Sequence, residues 1–175
     1  LEGAEEAASH VADTLASEVG LPLKHLGTEV HSGSMMLHPR EGSTQFGEEK
    51  TYLGSVNLVY KSGIEENVDF IAGDPLDDGA SGEVLDVWMH NLLAEEMGVN
   101  IGEELNVGVT LATNPIPIRV RGFWTASDPE DEYWFKHPGT TMKDNLIVRR
   151  QDYITHVEPL LAAKSGQVNW HVILD

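Results

Sequence analysis

The stretch that decides the fold is TYLGSVNLVYK, residues 51–61. Large apolar or aromatic side chains recur at every second position of its second half. A period of two residues is typical of a β-strand with one face against a core. The stretch therefore predicts a strand whose buried face carries Tyr52, Val56, Leu58 and Tyr60.

Both ends of the chain add the same pattern, a helix followed by a strand. Residues 3–19 carry apolar side chains at spacings of three and four, which predicts an amphipathic helix, and residues 23–32 predict a strand. Near the other end, Asp152 predicts the N-cap of a helix that ends at Gly166. Residues 168–174 predict the final strand.

The middle of the chain is rich in strand signals and contains one short helix. Pro115 and Pro117 are expected to interrupt the strands of this middle part, and residues 127–139 are expected to form a long loop. The patterns predict a polar excursion at 39–49, strands at 65–72, 83–87, 105–111, 118–125 and 146–149, and a helix at 89–97.

These elements predict an α+β fold with two lobes. One α/β lobe is expected from both chain ends, residues 1–65 and 142–175. A β-rich lobe with one short helix, residues 66–141, is expected as an insertion between them.

The composition excludes several classes of partner. The chain has 175 residues and a net charge of -18, from 29 acidic and 11 basic side chains. Such a charge repels nucleic-acid phosphates and anionic lipid headgroups, so we expect no nucleic-acid partner. There are no cysteines, which excludes disulfides and thiolate chemistry.

No motif in the sequence specifies catalysis, and we predict no catalytic residue, no cofactor and no metal site. The eight histidines contain no His-Glu-x-x-His arrangement. His25 and His31 share a strand face but lie about 20 Å apart, too far for one metal ion. The acidic residues are numerous, and nothing singles out a catalytic pair.

The segment at 127–139 combines acidic and aromatic side chains. Tyr133, Trp134 and Phe135 would be costly to expose in so polar a loop. They are expected to fold back as a plug between the lobes. Alternatively, they form a partner-docking patch, since aromatic residues are enriched among interface anchors.

Several segments together resemble the extracytoplasmic domains of ABC-transporter permeases of the MacB/FtsX type. The first is NVDFIAGDP, residues 67–75, which ends like the family's G-x-P stretch. The resemblance covers residues 65–175, and residues 1–64 only by their layout. The other segments are GEVL (82–85), NLLAEEMG (91–98), VNIGEEL (99–105), IRVRGFW (118–124) and NLIVR (145–149).

This resemblance implies a non-catalytic domain inserted between two transmembrane helices of a permease. It implies that the lobe from the chain ends is porter-like and that ATP is hydrolysed by a separate cytoplasmic subunit. The implied partners are the cognate transmembrane helices, that ATPase subunit and an adaptor or other extracytoplasmic protein. The implied location is extracytoplasmic, and the isolated domain is expected to be a monomer or weak dimer.

Two features of the chain ends bear on this resemblance. The chain begins at Leu1 rather than Met, so we expect an excised piece whose flanking membrane helices are absent. The family often continues past the final strand, whereas this chain stops at Asp175.

Two other functions remain open from the residues alone. One is a secreted hydrolase that uses a carboxylate pair or a His-bound metal. It would need titratable groups that converge in a pocket. The other is a ligand- or glycan-binding module built around Trp124 and Trp134, which would need an exposed aromatic shelf.

Overall fold

The computed structural model describes residues 1–41, 46, 51–109, 115–161 and 166–175. Over these residues the fold is α+β, as predicted, with helices packed around one mixed β-sheet. None of the described helices combines the length and apolar character needed to cross a membrane.

Eight of the nine described strands overlap a segment that the sequence predicts as a strand, and Met35–Pro39 is the exception. The described strands are β1 (Leu23–His31), β2 (Met35–Pro39), β3 (Gly54–Lys61), β4 (Val68–Gly73), β5 (Leu85–His90), β6 (Glu104–Gly108), β7 (Ile116–Ala126), β8 (Asn145–Ile147) and β9 (Gln167–Leu174). Part of the predicted 105–111 strand and most of the 39–49 excursion lie outside the described residues.

The helices begin and end near the predicted breakers. Helix α1 (Glu2–Val19) and helix α2 (Asn91–Met97) each end at a left-handed glycine, Gly20 and Gly98. Helix α3 (Pro138–Thr141) is short. A C-terminal helical stretch at 150–161 has a π-helical turn in its centre, between Arg150–Asp152 and Glu158–Leu161.

Six strands of the sheet close into a ring. Strand β2 pairs with β6 on one side and with β3 on the other, which joins the two ends of the series β2, β6, β7, β5, β8, β3. The β3–β8 and β5–β7 pairs are parallel, and the other ring pairs are antiparallel. Outside the ring, β4 pairs with β7, and β1 with β9 extends from β3.

The side chains that point into the ring form the main hydrophobic core. On β3 the inward residues are Val56 and Leu58, both buried, and Tyr60 packs against them. The predicted face is therefore correct for β3, although Tyr52 precedes the strand and is exposed. Fully burying a side chain such as Leu58 stabilises the fold by about 1.5–3 kcal/mol.

A second hydrophobic cluster lies on the outer side of the ring. It is covered by the segment at 127–142, which contains a 3-10 turn, Glu132–Trp134, and α3 rather than the single long loop that the sequence predicts. Its buried members are Val59, Ile64, Val68, Trp88, Trp124, Tyr133, Trp134, Met142 and Ile147.

Two local predictions are wrong. Pro117 does not interrupt the chain but lies inside β7, where the pairing with β5 begins only at Ile118, so no hydrogen bond to β5 is lost. Asp152 does not cap the last helix, which begins at Arg150. Its carboxylate accepts hydrogen bonds from Ser81 and Arg149 instead, so a tertiary contact replaces the cap.

The two predicted lobes contribute to one continuous sheet. Strand β2 comes from residues 1–65 and pairs with β6, which comes from residues 66–141. Strand β8 comes from residues 142–175 and pairs with β5. The division of the chain into two lobes stays a prediction.

Two glycines with positive φ provide a matched test of this packing. At Gly73 an added Cβ would collide with the Arg121 carbonyl oxygen and lie 2.8 Å from the Cα of Gly122, whereas at Gly98 it meets nothing within 4 Å. We expect Gly98→Ala to cost about 1 kcal/mol from backbone strain alone, and Gly73→Ala about 3 kcal/mol or more. Urea unfolding measures both, and equal losses would contradict the close approach of β4 to β7.

Candidate functional site

Three neighbouring strands bring charged and polar side chains onto one face outside the ring. Glu29 of β1 lies opposite Lys61 of β3 and opposite Asn169 of β9. His31 and His171 flank this row on the same face. A buried carboxylate and a buried ammonium are stable side by side only when they form an ion pair with each other.

Glu29 is the centre of this cluster. Lys61 Nζ lies 2.7 Å from Oε2 of Glu29, and His31 Nε2 lies 2.5 Å from Oε1. His171 Nε2 is 3.7 Å from Oε2, which is longer than a hydrogen bond, and this buried nitrogen has no hydrogen-bond partner. The cluster therefore has one unused polar atom.

The surroundings of Glu29 keep it ionised. Burial by itself raises the pKa of Glu29, but the nearby imidazoles of His171 and His31 and the ammonium group of Lys61 lower it by more. The pKa lies well below the ordinary range of a glutamate. Glu29 therefore holds a full negative charge against Lys61 at neutral pH.

The aromatic segment covers one side of the cluster. Tyr133 and Trp134 are buried, and the Tyr133 hydroxyl donates a hydrogen bond to the Ser62 carbonyl. The Lys61 ammonium lies 4.7 Å from the centre of the Tyr133 ring, within the range of a cation–π contact. Trp134 stacks on Trp124. These contacts anchor the segment on the ring.

Phe135 differs from the two aromatic residues before it. It is half-exposed, and its φ of 57° makes it the one non-glycine residue with positive φ in the described part of the chain. The Lys136 amide donates to the Trp134 carbonyl at 2.6 Å, so Phe135 occupies the centre of a γ-turn, a rare and strained conformation with positive φ. The Phe135 ring packs 4.4 Å from the His171 ring.

A cavity of about 580 Å³ opens between this turn and the strand face, and we call it the Glu29 cavity. Its volume lies in the range of small-molecule sites. Its lining includes the charged cluster around the buried Glu29 and Lys61, which we call its floor, and the exposed residues Phe135 and Lys136, which we call its rim. The remaining lining residues are Trp134, Thr141, Met142, Gln167, Val168, Asn169 and Trp170.

A second buried polar cluster surrounds Arg149. Its guanidinium binds Asp152 at 2.7 Å, Asp86 at 2.9 Å and Asp77 at 2.5 Å. Arg119 binds the other oxygen of Asp86. The convergent carboxylates are thus paired with arginines, so the cluster ties the segment at 74–86 to the last helical stretch.

The structure separates the three predicted docking residues. Tyr133 and Trp134 lie in the interior, and Phe135 alone of the three presents its ring to solvent. The docking role itself stays a prediction. Trp124 is also buried, so the aromatic shelf proposed around Trp124 and Trp134 does not form.

Sequence reasoning singled out Trp134 and Phe135, which line the Glu29 cavity, but it missed the charged cluster that lines the same cavity. Glu29, Lys61 and His171 come from three strands far apart in the chain, and only the register of β1 places them together. The sequence offered one signal of this cluster, the charged side chain of Glu29 within the predicted strand at 23–32. The described residues contain no group of three or more histidine or acidic side chains arranged to hold a metal ion.

Comparisons with known proteins give a structural similarity but no match by sequence. Neither family models nor curated proteins match the chain. A solved domain of a Porphyromonas gingivalis protein, provisionally assigned as a permease, is similar at 10% identity over 91% of this chain and 80% of that chain, with a TM-score of 0.43. A similarity at this level carries no argument about fold or function.

Removal of the Glu29 charge tests the electrostatics of the site. Glu29→Gln leaves Lys61 buried without its partner, so we expect a loss of about 3 kcal/mol at pH 7. Because the folded pKa of Glu29 is lowered, its stabilisation is present above the ordinary pKa of about 4.3 and is lost as the pH falls below it. The difference in the free energy of unfolding between wild type and Glu29→Gln, measured by urea unfolding, should therefore become smaller as the pH is lowered from 5 to 3.

Glu132→Gln is the matched control, because Glu132 pairs with Lys24 at the exposed surface. We expect it to leave the free energy of unfolding nearly unchanged. A Glu29→Gln loss that stays constant over the whole pH range would contradict the low pKa.

Two substitutions at one position test the strained turn. Phe135→Gly and Phe135→Ala both remove the ring, but only glycine adopts positive φ without strain. We therefore expect the glycine variant to be more stable than the alanine variant by about 0.5–1 kcal/mol, measured by urea unfolding. An alanine variant of equal or greater stability would show that the turn is relaxed.

Proposed function

We propose that the chain is a non-catalytic extracytoplasmic domain of an ABC-transporter permease of the MacB/FtsX type. In this proposal it relays conformational change between the membrane and an outer partner, and it binds a substrate or an extracytoplasmic protein. ATP is hydrolysed by a separate cytoplasmic subunit. The partners are the transmembrane helices of the same permease, that subunit and an adaptor.

The order of the elements in the resembling segments is the observation that carries this proposal. The resemblance implies a short strand, a helix, a glycine turn and another strand, and β5, α2, Gly98 and β6 follow in that order. It further implies a strand followed by a helix near the chain end, and β8 is followed by the stretch at 150–161.

The contacts of the domain suit a rigid relay. A closed ring cannot open without breaking hydrogen bonds along two strand edges. Arg149 then fastens the segment at 74–86 to the stretch at 150–161 through two buried ion pairs, with Asp86 and Asp152, and a more exposed one with Asp77. Groups joined in this way move as one body, so a displacement applied at one end is transmitted to the other.

Thiol labelling of intact cells tests the location. The chain has no cysteine, so Ser9→Cys adds a single reactive thiol on an exposed position of α1. In the full-length encoded protein, freed of any other cysteine, we expect a membrane-impermeant maleimide to label it without cell lysis. Ala12→Cys in the same helix is the matched control, because Ala12 is fully buried and should react only after denaturation.

The results separate the alternatives. Labelling of Ser9→Cys in the membrane fraction, together with recovery of a nucleotide-binding ATPase subunit after detergent extraction, is expected. Labelling only after lysis would overturn the extracytoplasmic location. Recovery of the labelled protein in the medium, free of membranes, would favour the secreted hydrolase.

A further inference from the structure

Within the part of the chain that the structure describes, one basic side chain has no acidic partner. Eight of the nine lysines and arginines within the described residues form ion pairs with a carboxylate, and Lys136 is the exception. The chain carries 29 acidic side chains, so the absence of a partner at this one position is not explained by a shortage of carboxylates. Lys136 lies at the rim of the Glu29 cavity.

The floor of the same cavity carries a second unused group. His171 Nε2 is buried and makes no hydrogen bond. Unpaired buried polar atoms cost free energy, and they are accordingly rare in folded proteins. A ligand atom that accepts a hydrogen bond from this nitrogen would remove that cost.

The strained turn determines how the rim is presented. The γ-turn at Phe135 places the Phe135 ring beside His171, and Lys136 follows immediately. Strain of this kind persists only where the surrounding contacts hold it, and here the buried Tyr133 and Trp134 do so. The turn therefore sets an apolar ring and an unpaired ammonium at the same opening.

The charges at the cavity sum to an excess of positive charge. Lys61 is neutralised by Glu29 at 2.7 Å, which leaves Lys136 unbalanced. In a chain of net charge -18 this opening is therefore suited to an anion. Phe135 and Trp170, both partly exposed, offer apolar surface next to it.

We propose that the Glu29 cavity binds a small amphipathic carboxylate. Its carboxylate group lies between Lys136 and His171 Nε2, and its apolar part packs on Phe135 and Trp170. The cavity volume of about 580 Å³ admits a molecule of this class. This inference rests on the proposed function in one respect, because the ligand would be one that the proposed permease domain binds. The predicted binding by the isolated chain and the predicted extracytoplasmic location are tested by different experiments, so either one can be contradicted without the other.

Calorimetric titration of the 175-residue chain tests the proposal with defined probes. The probes are phenylacetate, 4-phenylbutanoate and decanoate, with the uncharged 4-phenylbutanamide as the matched analogue. We expect at least one carboxylate to bind, and 4-phenylbutanamide to bind at least about fivefold more weakly than 4-phenylbutanoate, because the charge contributes about 1 kcal/mol. No binding by any of the carboxylates, or equal affinity for the acid and its amide, overturns the proposal.

Two variants of equal charge locate the site. Lys136→Gln should weaken binding of the best carboxylate about threefold to tenfold. Lys143→Gln makes the same change in net charge at a lysine that is paired with Glu96 and does not line the cavity, so it should leave the affinity unchanged. Equal weakening by both variants would mean that the anion responds to overall charge, and would overturn the assigned site.

Discussion

The pairing of β2 with both β3 and β6 closes the six-stranded ring, and the rest of the structure depends on that closure. A closed ring of only six strands has an interior that side chains fill, so the side chains that point inward along its strands pack together as a core. Leu37, Leu58 and Leu105, from three different strands, meet there with no exposed surface. The alternate side chains of the same strands point outward, and the apolar ones among them must be covered by other segments of the chain.

The segments that cover the outside of the ring determine where a binding site can form. Trp88 and Trp124 are covered by the segment at 127–142. The charged row of Glu29 and Lys61 lies beside them, where the extension of β1 and β9 joins the ring strand β3. Since a buried ion pair is stable only when both partners are satisfied, the position of this row is tightly specified. The cavity lies between this strand face and the covering segment at Phe135, where the backbone of the segment is strained.

Local patterns predicted those elements whose cause is local. The alternation of residues 51–61 predicted the buried face of β3, and Gly20 and Gly98 predicted two helix ends, because a left-handed cap is a property of the glycine itself. Prediction failed where a distant partner changed the outcome. Pro117 is tolerated in β7 because β5 pairs only from Ile118 onward, and Asp152 is drawn from its expected capping role by Ser81 and Arg149.

By itself, the sequence determined the α+β class, most of the strands and helices, and the strongly acidic charge, since these follow from residue periodicity and composition. It did not predict β2, the strand that closes the ring. The tertiary structure alone decided the closed ring and the assembly of the Glu29 cavity. Strand register brings together Glu29, Lys61 and His171, and no local periodicity encodes which strands will be neighbours. It also decided that Tyr133 and Trp134 are interior while Phe135 is not, because burial depends on what packs against a side chain.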